Sequence, residues 1–96
     1  MMAFFVYILA SRPHGAIYIG STHDLRERVT QHCAHCAHGH TGKYNILTLV
    51  YFEQHGSLGE ALLRERRLKR WRRAWKDALI AEANPGWRDI CDQIPL

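Results

Sequence analysis

Short apolar segments alternate with longer amphipathic segments along this chain of 96 residues. Residues 4–10, residues 16–20 and residues 45–53 are rich in aromatic and branched side chains, a composition typical of β-strands. Between the first two lies Arg-Pro-His-Gly, in which Pro13 presets φ and Gly15 permits a positive φ, so the spacing predicts a tight turn. We therefore expect the first two strands to pair as an antiparallel hairpin.

A first helix is predicted from about Leu25 to the mid-30s. Asp24 and Glu27 have the three-residue spacing of a capping box, in which each side chain satisfies a backbone N–H of the first turn. Leu25 and Val29 are four residues apart and therefore share one face. The glycine-containing stretch 38–42 then ends the helix.

A longer helix is predicted from Leu58, because Ser57 and Glu60 form a second capping box. Its apolar face is expected to comprise Leu68, Trp71, Trp75 and Leu79. We expect a bend or break around Ala74. The helix should end at residues 84–86, since proline disfavours helix at the residue before it. The apolar residues that follow should pack the tail against the core: Trp87, Ile90 and Ile94.

The order of elements is therefore β-β-α-β-α-α. This order predicts an α/β fold with a central three-stranded antiparallel sheet flanked by helices. A chain of this length suits a single domain spanning residues 1–96.

The beginning of the chain is apolar but too short to span a bilayer, and it lacks the charged start and cleavage site of a secretion signal. We interpret it as a buried strand. The chain has three cysteines, an odd number, which does not favour a disulfide framework. These features together favour a location in the reducing cytoplasm and no membrane partner.

Positive charge is concentrated in residues 64–76, which hold eight lysines and arginines and one glutamate, within a chain of net charge +4. Self-repulsion in such a run favours an anionic partner, although a solvated face, a calmodulin-like target or a membrane-surface helix also fits the composition. Trp71 and Trp75 look more like core residues than base-stacking ones. The candidate nucleic-acid contacts are Lys43, Arg66, Lys69, Arg70, Arg73 and Lys76.

Five polar residues could carry chemistry. Tyr7 and Tyr18 lie in neighbouring strands of the predicted hairpin, although two core aromatics would look the same. Arg28 and His32 share a helical face and could hold a phosphate, although an exposed i, i+4 pair is the plainer interpretation. Glu65 borders the apolar stripe and could hold Mg²⁺ with waters and substrate phosphate, with a salt bridge in a basic helix as the competing interpretation.

The stretch from residue 32 to residue 40 has a zinc-like composition. Cys33 and Cys36 have the spacing of half a zinc motif, and four histidines lie close to them. No second distant Cys/His pair matches, and Cys91 is a lone further candidate. We favour a polar helix end and loop over a structural Zn²⁺ site.

Taken in order, these residues resemble the GIY-YIG nuclease superfamily over nearly the whole chain. Residues 5–7, Phe-Val-Tyr, stand where the family name gives Gly-Ile-Tyr, and residues 18–20 keep Tyr-Ile-Gly. Residues 20–32, 49–53 and 61–65 are similar to the family's helix motif, third strand and metal-binding stretch. Residues 68–76 and Asn84-Pro85-x-Trp87 are similar to the small stand-alone bacterial members, which in turn resemble the N-terminal nuclease domain of bacterial excinuclease.

The resemblance implies an endonuclease that hydrolyses DNA phosphodiester bonds with one Mg²⁺ or Mn²⁺ ion, in DNA repair or recombination. Glu65 would hold the ion, Arg28 would bind a non-bridging phosphate oxygen, and Tyr7 would act as general base or orient the attacking water. The residues expected to position water and phosphate, relay a proton or support the site are Tyr18, His32 and Asn84.

Two departures from the family pattern bear on specificity. Phe5-Val6 replaces Gly-Ile at strand positions, and the Cys/His stretch replaces a basic, glycine-containing loop. We expect a monomer or weak homodimer. Two alternatives stay open at this point: a non-catalytic nucleic-acid-binding module on the same fold, and a zinc-stabilised interaction domain centred on Cys33 and Cys36.

Overall fold

The computed structural model describes residues 3–30 and 48–95. Its three strands are β1 (Phe4–Ala10), β2 (Ile17–Thr22) and β3 (Thr48–His55), and its helices are α1 (described at residues 25–30), α2 (Leu58–Arg70) and α3 (Arg73–Ala83), followed by a 3₁₀ turn at Cys91–Gln93. The strands form one antiparallel sheet in the order β2-β1-β3. The predicted α/β fold with a three-stranded antiparallel sheet is confirmed. No helix in the described part of the chain is long and apolar enough to cross a membrane.

β1 is the central strand, and this explains its unbroken apolar sequence. Residues 5–10 are all buried, because helices or the chain's tail cover both faces of the sheet. Successive side chains point to opposite faces, so Val6, Ile8 and Ala10 contribute to one core cluster. Phe5, Tyr7 and Leu9 contribute to the other.

Helices α2 and α3 cover one face of the sheet, and α1 with the C-terminal tail covers the other. On the first face, Ala61 and Leu68 of α2 and Ile80 of α3 pack on β1, β2 and β3. On the second face, Leu25 and Val29 of α1 meet residues of β1 and Ile94 of the tail. Arg26 also donates to the backbone carbonyl of the buried Ile94.

The strand boundaries lie later than the sequence pattern predicts. β2 continues to Thr22, because Ser21 and Thr22 pair with Val6 and Phe5 of β1. β3 continues to His55, which pairs with Phe4. The predicted start of the third strand at residue 45 lies outside the described residues.

The β1–β2 turn uses a different residue for its left-handed conformation than expected. His14 has the positive φ, of 59°, which we assigned to Gly15. The His14 ring then packs against the ring of buried Trp87, with 4.7 Å between their centres. Gly15 is needed for space instead, since a Cβ there would lie 2.5 Å from the Ser11 hydroxyl.

The long amphipathic run breaks into two helices at Trp71 and Arg72, which both have extended backbone. The break lies close to the predicted position near Ala74. It rotates the apolar stripe, so Leu68 is fully buried while Trp75 is 54% exposed. The prediction that Trp75 is a core residue is therefore wrong, because it assumed a continuous helical phase.

Both predicted N-caps form. Asp24 accepts a hydrogen bond from the backbone N–H of Glu27, and Ser57 accepts one from the backbone N–H of Glu60. Ser57 also donates its hydroxyl hydrogen to the Glu60 carboxylate. These caps fix where α1 and α2 begin relative to the strands that precede them.

Asn84 joins the end of α3 to the sheet and to the tail. Its buried side-chain amide donates to the carbonyls of Val50 and Arg88 and accepts from the backbone N–H of Arg88. The chain then turns, and the tail packs on the core as predicted, with Trp87 and Ile94 buried and Ile90 half-buried.

Replacing Asn84 should therefore destabilise the whole domain. We expect Asn84→Ala to lower the free energy of unfolding by about 2–4 kcal/mol, because the buried backbone carbonyl of Val50 loses its donor and the tail loses its anchor. Urea unfolding followed by circular dichroism measures the effect. Gln93→Ala removes an exposed amide from the same tail and should change stability by less than about 0.5 kcal/mol. Equal effects of the two substitutions would contradict this role.

Candidate active site

Two tyrosines lie on the same face of the sheet, where Gly20 leaves room for both. Tyr7 of β1 pairs with Gly20 of β2, and a Cβ at Gly20 would lie 2.6 Å from the Tyr7 hydroxyl and 3.0 Å from the Tyr18 ring. The ring centres of Tyr7 and Tyr18 are 6.1 Å apart. Tyr7 is fully buried and Tyr18 is 42% exposed, so the pair connects the core to the surface.

Glu65 approaches the same place from α2. Its carboxylate accepts a hydrogen bond of 2.5 Å from the Ser21 hydroxyl, next to Gly20, and one of 2.6 Å from the Lys69 ammonium. Partial burial opposes ionisation of Glu65. The hydrogen bonds from Lys69 and Ser21 outweigh that effect and hold the pKa of this carboxyl below its usual range. Glu65 is therefore an anion at neutral pH.

The environment of Tyr7 has the opposite effect on its proton. Burial, reinforced by Tyr18, raises the pKa of Tyr7 to about 12, and the positive charge of Arg28 only partly opposes the rise. Among residues 3–30 and 48–95, no hydrogen-bond partner of ordinary geometry meets the Tyr7 hydroxyl. Tyr18 is the polar neighbour that acts on this hydroxyl most directly, at the edge of the cluster that contains Glu65 and Arg28.

Arg28 lies on α1, half-buried beside the end of β2. It borders a small cleft of about 180 Å³ lined by Thr22, His23, Asp24, Glu27 and Arg28. Its charge acts on Tyr7 from the side opposite α2. The side chain therefore connects this cleft with the tyrosine pair, and a phosphate at that point would meet a guanidinium group, the donor best suited to it.

The structure brings together four of the six predicted site residues: Tyr7, Tyr18, Arg28 and Glu65. Asn84 is not among them, because its amide holds the backbone carbonyls of Val50 and Arg88. Any support that it gives to the site would therefore act through the fold and not by contact. The remaining candidates, His32, Lys43, Cys33 and Cys36, lie outside the described residues.

Most of the predicted nucleic-acid contacts are exposed. Arg66, Lys69, Arg70 and Arg73 face solvent, and Lys76 is half-buried. Arg73 pairs with Asp77 and donates to the Gly15 carbonyl, while Lys76 donates to the Lys69 carbonyl. The cations at positions 69, 73 and 76 thus follow the side of β2, from Glu65 towards the β1–β2 turn.

A second polar network, which the sequence analysis missed, lies at the other edge of the sheet. The Glu53 carboxylate accepts hydrogen bonds from Tyr51 (2.5 Å) and Arg64 (2.9 Å) and lies 2.6 Å from His55 Nε2. Burial works against ionisation, but these bonds outweigh it and lower the pKa of Glu53. The alternation Tyr51-x-Glu53-x-His55 on one face of a strand was the available signal.

The donor set near Glu65 fits a single hard cation. A carboxylate with waters and substrate phosphate suffices for Mg²⁺, and the Lys69 ammonium already occupies the position beside one carboxylate oxygen where a cation would lie. No group of three or more His, Cys, Asp or Glu side chains arranged to hold a metal occurs among the described residues. A metal held mainly by protein ligands is therefore not what this part of the chain offers.

An α/β domain that places a buried tyrosine, a half-buried arginine and one ionised carboxylate close together offers the polar groups that phosphate chemistry uses. The comparisons with known proteins agree with that class. The family model described as GIY-YIG catalytic domain matches residues 3–78. The chain belongs to the GIY-YIG family, a family of nucleases that act on nucleic acid.

The relatives are small proteins of similar length. The chain is 38% identical over 66 residues to the UPF0213 protein VNG_2274C of Halobacterium salinarum, a match covering 69% of this chain and 86% of that protein. It also resembles the solution structure of the UPF0213 protein BH0048 of Bacillus halodurans, with a TM-score of 0.57 and 26% identity over 93% of this chain and 94% of the other. The chain thus resembles small members of the family, as predicted, and its matches cover most of each of them.

Gly20 offers a direct test of the tyrosine arrangement. Gly20→Ala should lower the free energy of unfolding by about 1–3 kcal/mol and displace both tyrosine rings, because the new methyl group overlaps them. Gly59→Ala is the matched control, since a Cβ there meets nothing within 4 Å and helical alanine should be neutral or stabilising. Urea unfolding and the NMR ring signals of Tyr7 and Tyr18 report the outcome. Unchanged ring signals in Gly20→Ala would refute the close packing.

Glu53 should contribute stability that depends on pH. Because folding lowers its pKa, its contribution is present above the unfolded pKa near 4.3 and is lost as pH falls through the folded value. We expect Glu53→Gln to cost about 1–3 kcal/mol at pH 7 and progressively less below about pH 4. Glu82→Gln, an exposed change on α3, should cost little at either pH. Urea unfolding of both variants across this pH range measures these costs. A cost of Glu53→Gln that stays constant with pH would contradict the prediction.

Proposed function

We propose that this chain is a divalent-metal-dependent endonuclease that hydrolyses DNA phosphodiester bonds in the cytoplasm, in repair or recombination. The observation that carries the proposal is the position of Glu65. It reaches from α2 to Ser21 of β2, next to the glycine over which Tyr7 and Tyr18 pack. A single ionised carboxylate close to the buried Tyr7, the more exposed Tyr18 and an arginine supplies the groups that this reaction uses.

Glu65 would hold one Mg²⁺ or Mn²⁺ ion. When bound, the ion supplies positive charge that neutralises the charge developing on the scissile phosphate. The Lys69 ammonium donates a hydrogen bond to this carboxylate, so it must move aside for the ion. It would then be free to contact a neighbouring phosphate. The low pKa of Glu65 supports this role, because the carboxylate needs no deprotonation before it binds a cation.

Arg28 would bind a non-bridging oxygen of the phosphate and stabilise the charge that builds up as the attacking oxygen approaches. Tyr7 keeps its proton at neutral pH because its pKa is near 12. In this state its hydroxyl would orient the attacking water without accepting its proton. That proton would pass to His32 or to solvent as the water oxygen bonds to phosphorus, and solvent would protonate the leaving oxygen. General-base action by Tyr7 itself would require additional positive charge nearby. Tyr18, more exposed, and His32, four residues after Arg28, would position water and phosphate.

The test is cleavage by the purified chain. We expect the protein to cut single-stranded, branched or duplex DNA with Mg²⁺ or Mn²⁺ and to be inactive with a chelator. Glu65→Gln should reduce cleavage to background, and Arg28→Ala should slow it by about 10²- to 10³-fold, comparable to the loss of one oxyanion donor. Gel analysis of products over time measures both.

The control variant is Glu60→Gln, an exposed carboxylate on the same helix, which should cleave as fast as the unchanged protein. Parallel RNA substrates determine whether DNA is the preferred polymer. Binding of DNA without cleavage under every metal would refute the enzyme proposal and support a non-catalytic binding module. Stoichiometric zinc that is lost on Cys33→Ser would support the zinc-stabilised interaction domain instead.

A further inference from the structure

Trp75 is a large aromatic side chain that the fold leaves uncovered. It is 54% exposed on α3, one residue before Lys76, and it contacts Trp71 edge-on with 6.1 Å between ring centres. The guanidinium of Arg72 lies 5.4 Å from the centre of its ring. An indole flanked by a guanidinium plane is the kind of surface on which nucleobases stack.

The surroundings of this aromatic patch are strongly cationic. Four exposed arginines near the α2–α3 break form no ion pair within the described residues: Arg66, Arg67, Arg70 and Arg72. The first turn of α3 contains no acidic residue. A second copy of the chain would bring the same positive charge to the patch and would be repelled, whereas a polyanion is attracted.

The patch is also within reach of the candidate active site. The guanidinium of Arg64, the residue before Glu65, lies 5.1 Å from the centre of the Trp71 ring, which Trp75 contacts. Arg64 and Glu65 leave α2 on different sides, so about one helix width separates the patch from the carboxylate, and the Trp75 ring lies on the order of 15 Å from it. About four stacked nucleotides cover that distance. Positive charge also lies beside Glu65, since Lys69 contacts Glu65 and Lys76 contacts the Lys69 carbonyl.

We propose that Trp75, with Arg72 beside it, is a stacking platform for an unpaired base of the nucleic acid strand bound at the Glu65 site. This rests on the proposed function, because the strand is the substrate of that site. In a duplex the base faces are covered by their neighbours, so a stacking platform selects substrates that have an unpaired base a few nucleotides from the bond to be cut. The platform therefore favours single-stranded or branched nucleic acid over continuous duplex.

The experiment measures binding with a chelator present, so that it does not depend on cleavage. Fluorescence anisotropy compares a labelled single-stranded DNA oligonucleotide with a duplex of the same sequence. Trp75→Ala should weaken binding of the single strand by about 5- to 100-fold, the effect of losing one stacked base, and change duplex binding by less than about twofold. Trp75→Phe, which keeps an aromatic face, should restore part of the affinity.

Two controls separate stacking from charge and from general surface effects. Leu63→Ala removes an exposed apolar side chain of α2 (46% exposed) and should leave both affinities unchanged. Arg72→Lys keeps the charge but loses the planar group, so it should weaken binding of the single strand more than binding of the duplex. A series of oligonucleotides, each with one abasic position, locates the stacked base. One member should bind the unchanged protein less tightly than the intact strand does. The same member and the intact strand should bind Trp75→Ala equally well.

The proposal would be overturned if Trp75→Ala weakened the binding of single strand and duplex equally, or weakened the binding of neither. So would a dimer of the unchanged protein that Trp75→Ala dissociates in sedimentation, since the patch would then be an interface between copies. If selective single-strand binding is observed but no metal supports cleavage, the proposed endonuclease fails and the stacking platform stands. If cleavage is observed and Trp75→Ala binds both substrates normally, only the platform fails.

Discussion

The position of α2 depends on one polar contact at each edge of the sheet. Arg64 reaches Glu53 on β3, and its neighbour Glu65 reaches Ser21 on β2. Between these two side chains the helix buries Ala61 and Leu68 against the sheet. Because β2 and β3 are the outer strands, α2 cannot rotate about its axis without breaking one contact or exposing part of its buried stripe. The carboxylate proposed to bind metal is thus oriented by the packing of the core.

Glu65 stays ionised although it lies in a strongly cationic segment of α2. Lys69 and Ser21 keep Glu65 ionised despite partial burial. Across the edge strand, burial keeps Tyr7 protonated, and its hydroxyl remains a hydrogen-bond donor. Glu65 therefore presents a negative charge on one side of the site, and the Tyr7 hydroxyl presents a polar hydrogen on the other. Arg28 lies beside Tyr7. A phosphate and a divalent cation would complete this arrangement with little rearrangement of the backbone.

The sequence was informative where one local rule acted alone. The aromatic and branched composition of the strands, the caps at Asp24 and Ser57 and the stop at Asn84 each follow from local chemistry, and the elements that they predict are confirmed. The family motif placed Tyr7 and Glu65 in one site, and in the structure the charge of Glu65 acts on Tyr7. Trp75 was misjudged because two extended residues shifted the helical phase. The Glu53 network was missed although Tyr51, Glu53 and His55 alternate along one strand, because its fourth member, Arg64, joins them only through the packing of α2 on β3.

A consequence of the central position of β1 concerns folding. One strand supplies the middle of both core clusters, and most of its partners are distant in sequence, so neither cluster can form without the other. Such a domain is expected to fold as a cooperative unit, with no partly folded state that holds the tyrosines, the arginine and the glutamate together. If the chain cuts DNA as proposed, this all-or-none assembly would restrict hydrolysis to fully folded molecules, and nascent or damaged chains would be inactive.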